Sequence, residues 1–128
     1  MTKDGRFHGK CRQWHPNGNP KSDGFYIYGK QHKMYRTYHI NGARSWQVEF
    51  RHHKKCGPST SWYEDGSLKS TAMYVDGRED GETTQYYDNG QRSMVTTYVN
   101  GVEHGPLRAW FRDGRVQFQC MFQHGKEV

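Results

Sequence analysis

An Asn-Gly or Asp-Gly pair ends at Gly18, Gly42, Gly66, Gly90 and Gly114, so one turn signal returns every 24 residues without a slip. Few features constrain a fold as tightly, because a fixed period of this length means stacked copies of one small unit. Other residues keep the same beat. An aromatic precedes each pair by four positions from its glycine: Trp14, Tyr38, Trp62, Tyr86 and Trp110. A second aromatic follows each glycine by eight: Tyr26, Phe50, Tyr74, Tyr98 and Phe122. A further glycine series runs Gly5, Gly29, Gly77, Gly101 and Gly125, with His53 in the vacant place. Another runs Gly9, Gly57, Gly81 and Gly105, with Lys33 as its exception.

Each unit therefore carries two turn signals about twelve residues apart, room for one strand and one tight turn. The expected fold is all-β: an open antiparallel meander of five β-hairpin repeats, about ten strands in an elongated, twisted single-layer sheet. Residues 1–128 form one array, with units of about 5–28, 29–52, 53–76, 77–100 and 101–124. At a strand spacing of about 4.8 Å, such a sheet is roughly 45–50 Å long. Each unit touches only its neighbours, as in a solenoid.

The turn sequences include His-Pro-Asn-Gly and Tyr-Glu-Asp-Gly. A two-residue type I′ loop is one option. A three-residue loop, type I with glycine in the left-handed region, is the other, and Pro16 sits where a type I turn favours proline. The three-residue loop places Trp14 opposite Pro20. Simple alternation then puts Trp14 on one face with Ser22, Gly24 and Tyr26, Tyr38 with Arg44, Trp46, Val48 and Phe50, and Trp110 with Val116, Phe118, Cys120 and Phe122. The expectation is one aromatic-rich face and one polar face.

Composition agrees with strands and turns. Aromatics make up 15% of the chain, and 15 glycines stand against 4 prolines, while only 32% of residues are hydrophobic and mean hydropathy is −1.18. A deep two-layer core does not fit that balance, nor does a disordered chain. Stability is expected from cross-strand aromatic pairs and backbone ladders. No apolar run approaches the roughly 20 residues of a membrane span, and the polar start of the chain is unlike a secretory signal. Cys11, Cys56 and Cys120 are odd in number and lack CxxC spacing, which favours an intracellular, cytoplasmic setting over a disulfide framework.

These residues resemble the MORN repeat, in its bacterial antitoxin-component-like variant. The pattern appears as Gly77-Arg78, Gly81, Tyr86-Tyr87, Asn89-Gly90, again as Gly101, Gly105, Trp110-Phe111, Asp113-Gly114, and as Gly5-Arg6, Gly9, Trp14, Asn17-Gly18. The resemblance implies a grooved single sheet with roles in scaffolding, self-association or phospholipid contact. His53 and Lys33 depart from the pattern, so bent or looser junctions are expected there.

Charge is uneven along the array. Unit by unit the net charge is +3, +4, 0, −2 and +1, and six of the eight histidines lie at or before His53. Lys10, Arg12, Lys30, Lys33 and Arg36, with Trp14 and Tyr38, are the candidate binding residues. One reading is attraction to an acidic protein or an anionic membrane surface; the other is a solvated face that keeps sheet edges unpaired. Arg12, Arg36 and Arg108 each stand two residues before a series aromatic and so share its face. They could grip a peptide or stack bases, nucleic acid being the lesser reading. The repeated aromatics also have a purely structural reading, as the ladder a thin sheet needs.

Catalytic and metal signatures are lacking. Glu79, Asp80 and Glu82 cluster at a turn, Cys56 follows two lysines without a partner base, and no G-x-S-x-G, HExxH or P-loop pattern occurs. His15 and His39 share a phase two strands apart, too far for one zinc, and read as surface histidines. The expected function is a non-catalytic protein-interaction or scaffolding module without metal or cofactor. Its partner is a protein, with a homo-oligomer through the sheet ends as a further case. The alternative is peripheral binding of anionic phospholipid through the basic N-terminal repeats.

Overall fold

A computed structural model describes residues 9–128; the Gly5-Arg6 turn and the start of the first unit lie outside the described residues. The strands are β1 (Gly9–Trp14), β2 (Pro20–Ile27), β3 (Lys30–Tyr38), β4 (Arg44–Arg51), β5 (Lys54–Trp62), β6 (Leu68–Val75), β7 (Arg78–Glu79), β8 (Gly81–Tyr86), β9 (Arg92–Val99), β10 (Val102–Trp110), β11 (Val116–Gln123) and β12 (Lys126–Glu127). They form one open antiparallel sheet in chain order, with β7 set beside β6. β7 and β8 are one strand interrupted at Asp80, and β12 is a two-residue stub, so the meander matches the expected hairpin count. Extensive contacts join only strands adjacent in the sheet.

The Asn/Asp-Gly turns are three-residue loops. In the first, the Gly18 amide donates to the His15 carbonyl at 3.0 Å, the His15 amide donates to the Asn19 carbonyl at 2.8 Å, and Gly18 has φ 90°. Trp14 faces Pro20 across this loop, as Tyr38 faces Arg44, Trp62 faces Leu68, Tyr86 faces Arg92 and Trp110 faces Val116.

The opposite rim uses a different turn. Ile27 pairs with Lys30, and Tyr28 and Gly29 both have positive φ, at 49° and 81°. That is the two-residue type I′ loop, whose twist matches the flanking strands. His52 and His53 take the same form, with φ 50° and 72°. Lys33 likewise holds the strand bulge of the Gly9 series at φ 65°. The two departures from the glycine pattern therefore keep the backbone conformation that glycine takes in the other units. Neighbouring units hold them: the His53 amide donates to the Gln31 carbonyl at 2.8 Å, as Gly77 does to Lys55.

The expected division of faces is overturned. Gln13 pairs with Ser22 but Trp14 with Pro20, so two residues of β2, Lys21 and Ser22, oppose one of β1. The same bulge recurs in all five hairpins. An extra residue on one strand reverses the alternation beyond it. The Tyr26 series thus lies on one face with Ser22, Gly24, Tyr35, Trp46, Val48 and Ser59. The Trp14 series lies on the other, with Arg12, Arg36 and Arg108. Both faces are aromatic, and neither is simply polar.

The first face carries the small core. Val48 is 0% exposed, with Phe50 and Ala109 also buried. Val48 sits between Tyr35 on β3 and Ser59 on β5. The Tyr35 ring meets Trp46 and Phe50 edge-on, at centroid distances of 5.8 and 6.1 Å. Edge-on geometry suits rings whose faces are negative and edges positive. The same ring covers Gly24, where an added Cβ would come within 2.7 Å of it. Trp46 satisfies its indole by donating to the Ser59 hydroxyl at 2.8 Å.

Candidate functional site

The second face gathers most of the basic residues that the sequence singles out. Lys10 on β1 pairs with Phe25 on β2, and Arg12 pairs with Asp23. Arg36 on β3 faces the same Asp23 from the other side. Tyr38 donates its hydroxyl to that carboxylate at 3.4 Å, and Arg12 lies 3.9 Å from it. Trp14 ends the row and is 59% exposed. Lys10, Arg12 and Trp14 from β1 and Arg36 and Tyr38 from β3 thus share one surface across the intervening β2.

Lys33 and Lys30 stand differently. The Lys33 ammonium sits 4.5 Å from the centre of the Phe25 ring, which ties it to the patch through a cation–π contact. Lys30 opens β3 at the type I′ rim. There it lines a shallow cavity of about 400 Å³ with Ile27, Tyr28, Gln31, His32 and His52. Asp23, between two arginines, lowers the local charge below what a count along the sequence suggests. Its exposed pairing with Arg12 contributes little to stability, since solvent screens it.

The second face continues beyond the basic units. The Arg44 guanidinium lies 5.1 Å from the centre of the Trp62 ring, and that of Arg92 4.8 Å from Trp110. Arg92, Arg108 and Trp110 line a cleft of about 210 Å³ with Glu82, Val95, Thr97 and Pro106. Sequence reasoning put Arg44 on the face of Tyr38 but named neither it nor Arg92 as a binding residue. The signal was the position two after each turn glycine, held by Pro20, Arg44, Leu68, Arg92 and Val116, which the bulge delivers beside the aromatic of the next unit.

The histidines at the three-residue loops are staples rather than free surface groups. His15 Nε2 lies 2.9 Å from the Tyr38 carbonyl, and His39 Nε2 lies 2.8 Å from that of Trp62. A carbonyl only accepts, so Nε2 carries the proton in both. Tyr63 and Tyr87 occupy the same position two units on and donate their hydroxyls to the carbonyls of Tyr86 and Trp110 at 2.6 and 2.7 Å. Asn17, Asn41 and Asn89 add parallel bonds to the carbonyls of Ile40, Glu64 and Arg112.

Among the described residues, no group of three or more His, Cys, Asp or Glu side chains could hold a metal ion. Of the carboxylates near Asp80, Glu79 serves structure, accepting from the Tyr74 and Thr83 hydroxyls. Burial, and then the Glu79 charge, raise the Tyr74 and Tyr98 hydroxyls above the ordinary phenol value. Burial also raises Tyr26. Cys11, Cys56 and Cys120 are free and half-buried. No helix among the described residues is long and apolar enough to cross a membrane.

Among solved structures, the chain is similar to one titled "Crystal structure of GtfA/B complex bound to UDP and GlcNAc", at 15% identity and a TM-score of 0.33. That match covers 93% of the present chain and 23% of the other. Comparison with curated proteins gave no match. A family model described as "MORN repeat variant" matches residues 7–28, 55–76 and 79–100, more than half of the chain and in step with its hairpins. Matched in three of its units and folded over the described residues as one antiparallel hairpin meander, the chain belongs to the MORN repeat variant family.

Proposed function

We propose that the array is a non-catalytic protein-interaction scaffold that presents its second face to a protein partner. The observation that carries this reading is the row of ring and guanidinium groups along that face, from Trp14 with Arg12 and Arg36 to Trp62 with Arg44 and Trp110 with Arg92. Trp14 is exposed and Trp62 and Trp110 are half-buried, and accessible aromatics beside arginines are the residue types that anchor protein interfaces. The three free cysteines favour an intracellular, reducing setting for that partnership. The test is affinity capture with the native chain and with a Trp14→Ala, Trp62→Ala, Trp110→Ala variant of matched fold. A protein retained stoichiometrically by the first and lost from the second supports the reading. Equal retention by both would overturn it.

A second reading is favoured by one specific cluster: Lys10, Arg12, Lys33 and Arg36 around Phe25 would suit an anionic phospholipid surface, with Lys30 at the adjoining rim. Co-sedimentation with neutral and anionic vesicles across a salt series separates the two. Salt-sensitive binding to anionic vesicles, lost when those five cations are neutralised, would put the membrane first. No sedimentation at low salt would remove it.

A further inference from the structure

Two arginines meet at one cleft of the second face without an acid between them. Arg92 and Arg108 both line the opening of about 210 Å³ beside Trp110. The Arg92 guanidinium lies over the Trp110 ring, 4.8 Å from its centre. Arg108 stands two residues before Trp110 on β10 and so on the same face. No carboxylate pairs with either arginine among the described residues. Stacking occupies one face of a guanidinium and leaves its in-plane N–H groups free to hold a carboxylate through parallel bonds. The opening is smaller than the roughly 300–1,000 Å³ of small-molecule pockets, so it suits a single side chain.

The repeat itself shows what such a cradle takes. Each junction between units sets the residue two after a turn glycine beside the aromatic of the next unit and the residue two before that aromatic. Only the last junction fills these places with two arginines and a tryptophan. Elsewhere one or both arginines give way, to Pro20 at the first junction, Thr60 at the second, and Leu68 with Thr84 at the third. At the first junction the chain supplies its own acid. Arg36 faces Asp23 across the strands, and the Asp23 carboxylate accepts from the Tyr38 hydroxyl at 3.4 Å. The residue that faces Arg108 in the same register is Val95, which offers no charge. Glu82, paired across the strands with Thr97, stands at the end of the cleft away from Arg92 and repels a second acid there.

We propose that the cleft of Arg92, Arg108 and Trp110 receives one aspartate or glutamate side chain of the protein partner, set among uncharged residues of that partner. The incoming carboxylate takes the place that Asp23 fills from within the chain at the first junction. Both arginines hold it through charge-assisted bonds, while Trp110 keeps water from one face of Arg92. The inference rests on the second face as a protein-binding surface and names the chemistry of one anchor on the partner.

The experiment follows the Trp110 indole and the Arg92 and Arg108 Nε signals of the isotopically labelled full chain by NMR. The probe is acetyl-Ala-Glu-Ala-amide, titrated to about 50 mM because a single charged anchor binds in the millimolar range. A saturating shift of all three signals is expected. Acetyl-Ala-Gln-Ala-amide and inorganic phosphate, at matched ionic strength, should bind more weakly by roughly tenfold or more. Read at the Trp110 indole, Arg92→Gln with Arg108→Gln should abolish saturation. Arg92→Lys with Arg108→Lys should weaken the probe by roughly threefold or more, since lysine keeps the charge and loses the planar fork. Val95→Asp copies the first junction and should weaken the probe by roughly tenfold, because the internal acid then occupies the arginines. Equal shifts from the glutamine peptide, phosphate binding as tightly as the acidic probe, or saturation undiminished by either Arg92→Gln with Arg108→Gln or Val95→Asp would each overturn the proposal. In affinity capture, a partner lost from the triple tryptophan variant yet fully retained by Arg92→Gln with Arg108→Gln would overturn this anchor and leave the second face as the binding surface.

Discussion

His53 takes a left-handed backbone, φ 72°, at the turn position that Gly29, Gly77, Gly101 and Gly125 hold in other units. A side chain there costs about 1 kcal/mol or somewhat more, because Cβ crowds the following carbonyl. Histidine tolerates the region better than β-branched residues do. The strain is held by the hydrogen bond from its amide to Gln31, the bond that Gly77, Gly101 and Gly125 make in their own turns. His53→Gly should therefore raise stability by roughly 0.5–1 kcal/mol, read as a higher denaturation midpoint at unchanged slope. A second residue-scale expectation concerns Cys120. Partial burial, then the charges of Glu127 and Glu103, raise its thiol above the ordinary value. Its alkylation rate should climb with pH later than that of a free thiol, and Glu103→Gln should move the curve back down. An unmoved curve would show that the carboxylate plays no part.

Between elements, the array is held by bonds that cross from one hairpin to the next at both rims. At the loop rim the bonded ring changes from histidine to tyrosine between units two and three, yet each reaches a backbone carbonyl one unit ahead. The requirement is a flat ring with a donor at its far end. Tyr63→Phe removes the donor and keeps the ring, so the Tyr86 carbonyl loses its partner. The expected cost is about 1 kcal/mol in chemical denaturation. Tyr87→Phe should cost the same, whereas Phe111→Tyr should gain nothing, having no carbonyl ahead of it among the described residues. Equal effects from all three would mean that the hydroxyls act through general polarity and not as staples.

For the whole molecule, adjacency in the sheet dominates, because extensive contacts join only neighbouring strands. Stability then approximates a sum over units and junctions. Three of the five aromatics of the Tyr26 series, Tyr26, Tyr74 and Tyr98, hold their hydroxyl protons more tightly folded than unfolded. Since their folded pKa values are raised, the native state binds more protons once the unfolded phenols, near 10, begin to ionise. Their contribution is complete below about pH 10 and is lost as pH rises through the folded values. The melting temperature should fall on the alkaline side. Tyr74→Phe with Tyr98→Phe should flatten that fall, and an equally steep fall in the variant would sink the assignment.

The sequence by itself determined the period and the turn glycines, because a turn is local and its chemistry is written in four or five consecutive residues; it favoured the three-residue loop, and the strand register that pairs Trp14 with Pro20 decided it. It also marked the basic first units, though not that Asp23 would lie between Arg12 and Arg36. Tertiary structure alone decided which face each aromatic series takes. The bulge that sets Lys21 and Ser22 against Gln13 adds a residue to one strand and not its partner. It exists only as a hydrogen-bond register between strands, and no residue type in Pro20-Lys21-Ser22 or Arg44-Ser45-Trp46 announces it. Alternation counted along the chain runs through that point unbroken, while in the folded sheet it reverses. That reversal puts Trp14, Trp62 and Trp110 among the arginines and leaves the Tyr26 series on the face that holds the core around Val48 and Phe50.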